Sequence, residues 1–505
     1  MSDRSVHDAL RSEMELVVIE APGGCGKTFQ GAGYARDLIS ANRTQRLLIL
    51  THTHAACSVF DERTRGLASG VEIRTIDSLV VQIATAYRNG LGLPADPAAW
   101  ARRNEDGYDL LAVKTAALLK RYPFIAKALA CRYPVIICDE HQDSTGERHA
   151  IIMAIHAAGA KLRVFGDPMQ RIYVTRQHIG GCPPLDWAAL TREAHRFEEL
   201  DHPHRWTSGS AELGQWILDA RATLRRGEPI DLRQNRPMSV TVVRAENEAQ
   251  GNLQYRPARG DRQLIDRFVG EDQRLLILTR YNETALSLRP AFNRRIVLWE
   301  GHVRAQLERF VDALTAAADR LAVAQAVAAF IQATCVGFTN NRFAKTFLQD
   351  VAEGCARHRR GRPEKIQALA RMIVDEPNHK GAAKVLARLA RLRAEDEDFQ
   401  HIKIDALKEF HEGARLADFT SPQEGYAELS HRRAYTRPMP PDKAISTIHK
   451  AKGLEYHSVV VAPCDARTFR NDEISRCLFY VAISRAMSRL MLVVPRNDPS
   501  PLLVI

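Results

Sequence analysis

The chain has 505 residues, 45% of them apolar, which is enough for three or four compact units with packed cores. No apolar signal segment follows Met1, no run approaches a membrane span, and the nine cysteines include no CxxC pair. A secreted, membrane-embedded, zinc-ribbon or dithiol protein is therefore not expected; the reading is a soluble, cytoplasmic protein with reduced cysteines. The formal charge of +11 suits a polyanionic partner without establishing one.

Residues 15–20, ELVVIE, read as a buried strand. It runs into Ala21-Pro22-Gly23-Gly24-Cys25-Gly26-Lys27-Thr28 and a helical stretch to about residue 40, the context of a phosphate-binding loop. Glycines let backbone N–H groups curl around phosphates, and the helix N-terminus adds positive potential. Lys27 is suited to the β- and γ-phosphates of ATP, and Thr28 to Mg²⁺. Residues 81–130 are helix-rich. Their Tyr87, Trp100, Arg102, Arg103, Lys120 and Arg121 either track phosphate or sit on solvated faces. A second apolar strand, 133–138, ends at Asp139-Glu140-His141-Gln142-Asp143. Carboxylates at the C-terminal end of a parallel strand lie where α/β sheets bind ligands. Asp139 is the expected Mg²⁺ ligand, and Glu140 the group that orients and deprotonates an attacking water.

Strand and helix patterns alternate over 15–80 and 133–200, which predicts an α/β fold with a parallel sheet flanked by helices. Further strands are expected at 240–243, 275–280 and 490–494. Between them lies an Ala- and Arg-rich helical block, about 300–435. Its densest basic cluster is Arg357, His358, Arg359, Arg360 and Arg362, either a phosphate contact or an exposed loop.

Several segments match one family in order. Leu50-Thr51-His52-Thr53-His54-Ala55-Ala56 is similar to LTFTNKAA, and Thr75-Ile76-Asp77-Ser78-Leu79 to TFHSL. The strand-end acids have the form DExQD, and residues 164–173 contain GDxxQxIY. Residues 445–456 carry TxHxAKGLE[FY], and residues 480–486 carry YVAx[ST]RA. The chain thus resembles superfamily 1A helicases of the UvrD/Rep/PcrA group. Its compactness is similar to that of the helicase-like subunit of Gabija-type antiphage systems.

The resemblance implies two RecA-like P-loop motor domains with helical insertions. These are 1A at 1–80 plus 131–199, 1B at 81–130, 2A at 200–299 plus 436–505, and 2B at 300–435. It implies that Gln170 senses the γ-phosphate, that Arg485 is an arginine finger, and that Arg205 is a second one, in a looser match to LxxNYRS. It adds Phe29, His204, Gly453 and Glu455 to the nucleotide-binding set of Gly23, Gly24, Cys25, Gly26, Lys27 and Thr28. Strand contact falls to His52, Thr75, Tyr173 and His449. The sequence departs from the family in places. Residues 1–14 carry no LNxxQ segment, His204 stands where a base-stacking Tyr is usual, His52 replaces a Phe, and Val174-Thr175-Arg176-Gln177 replaces GWRG. The implied activity is ATP-dependent 3′→5′ movement on single-stranded or partly duplex DNA, in repair, recombination or phage defence. A nucleic-acid-gated ATPase that serves a nuclease or other protein partner as sensor or clamp is the alternative. A degenerate nucleotide-binding scaffold is disfavoured by intact Lys27, Asp139, Glu140, Gln170 and Arg485.

Overall fold

The computed structural model describes residues 2–41, 46–67, 70–104, 106–173, 180–249, 251, 253–292, 295–299, 304–338, 343–435 and 440–505. The segment 174–177, read above as the replacement for GWRG, lies outside them. The chain forms two compact units, Met1–Ile296 with Asp442–Ile505, and Val297–Pro441. No helix among the described residues is long and apolar enough to cross a membrane.

The first unit is built on two parallel sheets. The strands of the first are β1 (Leu16–Glu20), β2 (Leu47–Thr51), β3 (Val71–Thr75), β4 (Val135–Cys138), β5 (Lys161–Gly166) and β6 (Arg196–Glu199), in the order β3-β2-β4-β5-β1-β6. All five pairings are parallel. β1, β2 and β4 are buried along their whole length, as expected for strands covered on both faces and rich in Val, Ile and Leu. Helices α1 (Ser2–Arg11) and α2 (Lys27–Ala41) cover one face, where Val6, Leu10, Ala32 and Ile39 pack against Val17, Ile19 and Phe165.

After α3 (His54–Arg63), the helices α4 (Ile76–Ala86), α5 (Pro97–Arg103), α6 (Gly107–Arg121), α7 (Pro123–Arg132) and α8 (Gly146–Ala157) follow. Leu79, Leu111, Leu118, Ile125 and Ile151 share one core with Val18, Leu50, Ile136 and Leu162 of the strands. The helical stretch 81–130 therefore packs directly on the sheet. Side-chain caps start several of these helices: Thr75 Oγ1 accepts from Ser78 N at α4, and Thr145 from Arg148 N at α8.

The second sheet of this unit has the order Lys443–Thr447, Leu275–Thr279, Tyr456–Val461, Ala486–Val494, Val240–Arg244, again with parallel pairing throughout. The two sheets flanked by helices are the architecture of two RecA-like domains.

The second unit is helical, with a core of its own that includes Leu307, Val327, Leu369, Leu386 and Leu389. Phe310 and Phe330 stack at 4.3 Å between ring centroids. A two-residue antiparallel ladder joins Cys335–Val336 to Lys403–Ile404. The basic cluster of this unit is largely engaged with its own fold. Arg359 Nε donates to the buried Asp350 carboxylate at 2.8 Å. Arg362 lies over the Phe343 ring at 4.4 Å, and Arg357 pairs with Glu353 at 3.0 Å. Arg360 and His358 face solvent.

Candidate nucleotide site and adjoining cleft

The order β4-β5-β1 sets three loops side by side at the carboxyl end of the first sheet. The glycine loop follows β1, the acidic segment follows β4, and the Gln170 turn follows β5. Gly24 and Gly26 adopt left-handed backbone angles, φ +89° and +85°, which other L-residues reach only at a cost of about 1–2 kcal/mol. A Cβ on Gly24 would also meet the Trp206 ring at 2.7 Å, and one on Gly26 would meet His204 at 3.0 Å. The α2 helix starts at Lys27, with Thr28 as its second residue, so its free N–H groups face the loop.

Lys27 is drawn to both strand-end acids. Its ammonium lies 3.2 Å from Asp139 Oδ1 and also pairs with Glu140. Burial opposes its charge, but Asp139 and Glu140 outweigh burial and hold its pKa above the ordinary lysine value. Burial raises the Asp139 pKa against the pull of Lys27. Burial also opposes Glu140, yet Lys27 and Lys452 hold its pKa below the usual carboxylate range. Glu140 itself sits in the left-handed region at φ +53°, a strained placement of the kind found at functional sites. Gln142 clamps this arrangement: its Nε2 donates to Glu140 Oε2 at 2.5 Å, and its Oε1 accepts from Asp167 N at 3.1 Å.

Gln170 Nε2 donates to Asp167 Oδ2 at 3.0 Å. The same side chain faces the glycine loop, 3.1 Å from where a Cβ on Gly23 would stand; Arg485 Nη2 is 3.5 Å from that point. Arg485 arrives from the second sheet and is 1% exposed. Its Nε donates to Val481 O at 3.0 Å, and its Nη2 to Ser484 Oγ at 2.8 Å. Burial, and then the neighbouring Arg205 cation, push its pKa down to about 10. Arg205 donates to Glu455 Oε1 at 2.8 Å and to Ser484 O at 2.8 Å. Next to it, Arg205 N donates to Gly24 O at 2.9 Å, and His204 Nε2 lies 2.8 Å from Asp3 Oδ2.

The structure thus gathers Lys27, Asp139, Glu140, Gln170, His204, Arg205, Glu455 and Arg485 around Gly23, Gly24, Cys25 and Gly26. Gly453, at φ +86°, lies one residue before Leu454, whose carbonyl faces Arg485 Nη1 at 3.4 Å. Phe29 is 62% exposed on α2.

The four expected strand contacts are split. Tyr173 and His449 line a cleft of about 310 Å³ together with Ile172, Arg280, Ile474 and Leu478. Tyr173 Oη donates to His449 O at 3.3 Å, and Lys452 Nζ lies 5.0 Å from the Tyr173 ring centre. Tyr173 is 51% exposed. Thr75 is spent on capping α4, and the His52 ring is turned to Ser144.

Other residues joined to the site had no role in the sequence reading. Gly23 N donates to Tyr480 Oη at 3.0 Å. Lys452 Nζ pairs with Asp143 and donates to Gln170 O at 2.8 Å. Arg221 Nη2 bridges Asp167 Oδ1, at 2.8 Å, and the fully buried Glu20. Glu20 carried a signal: a carboxylate closing an all-buried strand requires a cationic partner.

A family model described as an AAA domain matches residues 4–176, and one described as a UvrD-like helicase C-terminal domain matches residues 443–493. Together the two matches indicate a UvrD/Rep-like superfamily 1 helicase. No curated protein matches the chain. The AAA-domain match falls on the first sheet and the helicase match on the second, and together they support a nucleic-acid-dependent nucleoside triphosphatase of helicase type. Such a helicase binds a nucleotide together with a divalent metal, and the residues present fit both. A Cβ at Gly23, Gly24 or Gly26 would meet a neighbouring side chain within 3.1 Å. Among the described residues, Asp139 Oδ1 is buried with no well-aligned hydrogen bond and lies against the Lys27 ammonium. Arg205 stands close enough to Arg485 to help push the Arg485 pKa down, and a polyanion beside them relieves that repulsion.

Proposed function

We propose that the protein is an ATP-driven motor that moves 3′→5′ on single-stranded DNA and opens duplex ahead of it. The observation that carries this reading is the meeting of cations over a single glycine loop: Lys27 from the first sheet, Arg485 from the turn before the Ala486–Val494 strand of the second, and Arg205, which donates to Ser484 O beside it. Cations aimed at one phosphoryl group stabilise the charge that spreads over its oxygens in transfer.

In this reading Lys27 exchanges its carboxylate partners for the β- and γ-phosphates of ATP. Asp139 and Thr28 hold Mg²⁺, which supplies charge neutralisation on the phosphate oxygens. Glu140, freed of Lys27, orients the attacking water and accepts its proton. Arg485 and Arg205 approach the γ-phosphate, and Gln170 reports its presence. His204 and Glu455 flank the base and ribose, with Phe29 at the rim.

The Gln170 carbonyl is held by Lys452, and three residues later Tyr173 lines the cleft with His449. Loss of the γ-phosphate at Gln170 therefore acts on a segment that grips the strand, which supports coupling of hydrolysis to stepping. His52 extends the strand path in this reading. The motor domains 1A and 2A correspond to the two sheets, 1B to the helices on the first sheet and 2B to the helical unit. The cellular setting is cytoplasmic, in DNA repair, recombination or phage defence.

Tailed duplexes test the proposal. ATP-dependent unwinding from a 3′ tail and not from a 5′ tail is expected. Unwinding from the 5′ tail alone overturns the polarity. Hydrolysis stimulated by DNA with no unwinding of either substrate replaces the motor by a gated clamp.

A further inference from the structure

A line of hydrogen bonds runs from His52 to the residue beside Glu140 and beyond it. His52 Nε2 lies 3.1 Å from Ser144 Oγ, Ser144 Oγ lies 3.2 Å from His141 Nδ1, and His141 Nε2 lies 3.0 Å from His149 Nδ1. Ser144 and His141 are buried. The two end rings are neutral at pH 7: burial, and then the Arg148 cation, hold His52 at about 4, and burial lowers His149.

A neutral imidazole donates from one nitrogen and accepts at the other, and a serine hydroxyl has one proton to give. With the serine proton kept within the line, these rules leave two consistent polarities. In the first, His52 donates from Nε2 to Ser144, Ser144 donates to His141 Nδ1, and His141 donates from Nε2 to His149 Nδ1. In the second, His149 donates from Nδ1 to His141, His141 donates from Nδ1 to Ser144, and Ser144 donates to His52 Nε2. Passing from the first to the second takes up one proton at His52 Nδ1 and releases one at His149 Nε2. Three protons shift along the hydrogen bonds between, and no ring changes charge. His52 Nδ1 is a bare acceptor in the first state and a donor in the second.

The line meets the turn that carries Glu140. Its backbone is in the left-handed region, and the turn that follows is closed by Ser144 N donating to His141 O at 3.0 Å. The His141 ring and the Ser144 hydroxyl tie that turn to His52 on one side and to α8, through His149, on the other. We infer that Ser144 and His141 are positioning residues, through which an acceptor oxygen of the bound strand at His52 selects the second polarity and so sets the turn that carries Glu140. The inference rests on the DNA-coupled reading above. It assigns part of the coupling to the side of the site opposite Gln170, through a two-state element that a ligand at one end biases.

The test is steady-state ATP hydrolysis by the full chain, with and without oligo(dT), for wild type, Ser144→Ala and Ser144→Thr. We expect Ser144→Ala to keep the DNA-free rate and the half-saturating oligo(dT) concentration. The stimulation ratio should fall by about fivefold or more, the low end of couplings between sites, and Ser144→Thr, which keeps the hydroxyl, should restore it. Stimulation in Ser144→Ala equal to a stimulated wild type overturns the inference alone. So does a DNA-free rate that falls as far as the stimulated one, which marks Ser144 as merely structural. A wild type indifferent to oligo(dT) overturns the function reading and this inference with it. Should Ser144→Ala not fold, selective ¹⁵N-histidine spectra of the wild type take its place. A change of the His141 tautomer on adding oligo(dT) supports the inference, and an unchanged tautomer overturns it.

Discussion

Two groups of arginines, equally basic in sequence, meet opposite fates in the two units. Around the glycine loop, Arg485 is buried beside another cation, and its pKa is pushed down to about 10. In the helical unit, Arg359 lies against the buried carboxylate of Asp350, and the hydrogen bond to Asp350 holds its pKa above the ordinary value. One cation is left short of negative charge and the other is supplied with it. A buried charge with no local counter-charge is costly unless a ligand brings one, whereas a paired one holds its own fold together. The contrast separates residues kept for a polyanion from residues kept for stability.

The largest effect that sharpens this contrast is on rate. Arg485→Ala is expected to lower ATP hydrolysis about 10³-fold, the low end of arginine-finger contributions, while the melting temperature stays level or rises because a repelled charge is gone. A strong loss of stability would place Arg485 with the structural arginines. Arg359→Ala is expected to do the reverse. It leaves Asp350 buried and unpaired, costing about 3 kcal/mol in the helical unit by denaturant unfolding, with ATP hydrolysis retained in the folded fraction. Tyr480→Phe removes the acceptor of Gly23 N–H. The nucleotide-free protein should lose about 1 kcal/mol, and saturating nucleotide should erase the difference, since a phosphate then accepts from that N–H. Arg360→Ala, at an exposed position of the same basic cluster, should change stability by no more than about 0.5 kcal/mol. A larger change would show that solvent exposure is not what distinguishes it from Arg359.

The parts of this picture that were legible in the sequence are those in which chemistry is local. The Gly23–Thr28 loop and the acids at 139–140 each follow one apolar strand, and the parallel order of β4, β5 and β1 brings them together. Arg205 and Arg485 could be read only from the order of motifs along the chain, since nothing within either segment says what it faces. The Tyr480 contact with Gly23 spans 457 residues and has no local signature. The fate of Arg357–Arg362 was equally hidden, because ion pairing with Asp350 and stacking on Phe343 depend on how helices pack. The line from His52 to His149 belongs to the same class: three histidines and a serine on three elements, joined only by the fold.

The central claim is that hydrolysis at the glycine loop is driven by a strand held in the adjoining cleft. The most direct measurement is the steady-state rate of ATP hydrolysis with and without single-stranded DNA, for wild type and Glu140→Gln. The account predicts strong stimulation of the wild type and a loss of about 10²-fold or more in the variant, with DNA binding intact. A wild-type rate indifferent to DNA, or a Glu140→Gln rate equal to the wild type, would contradict it.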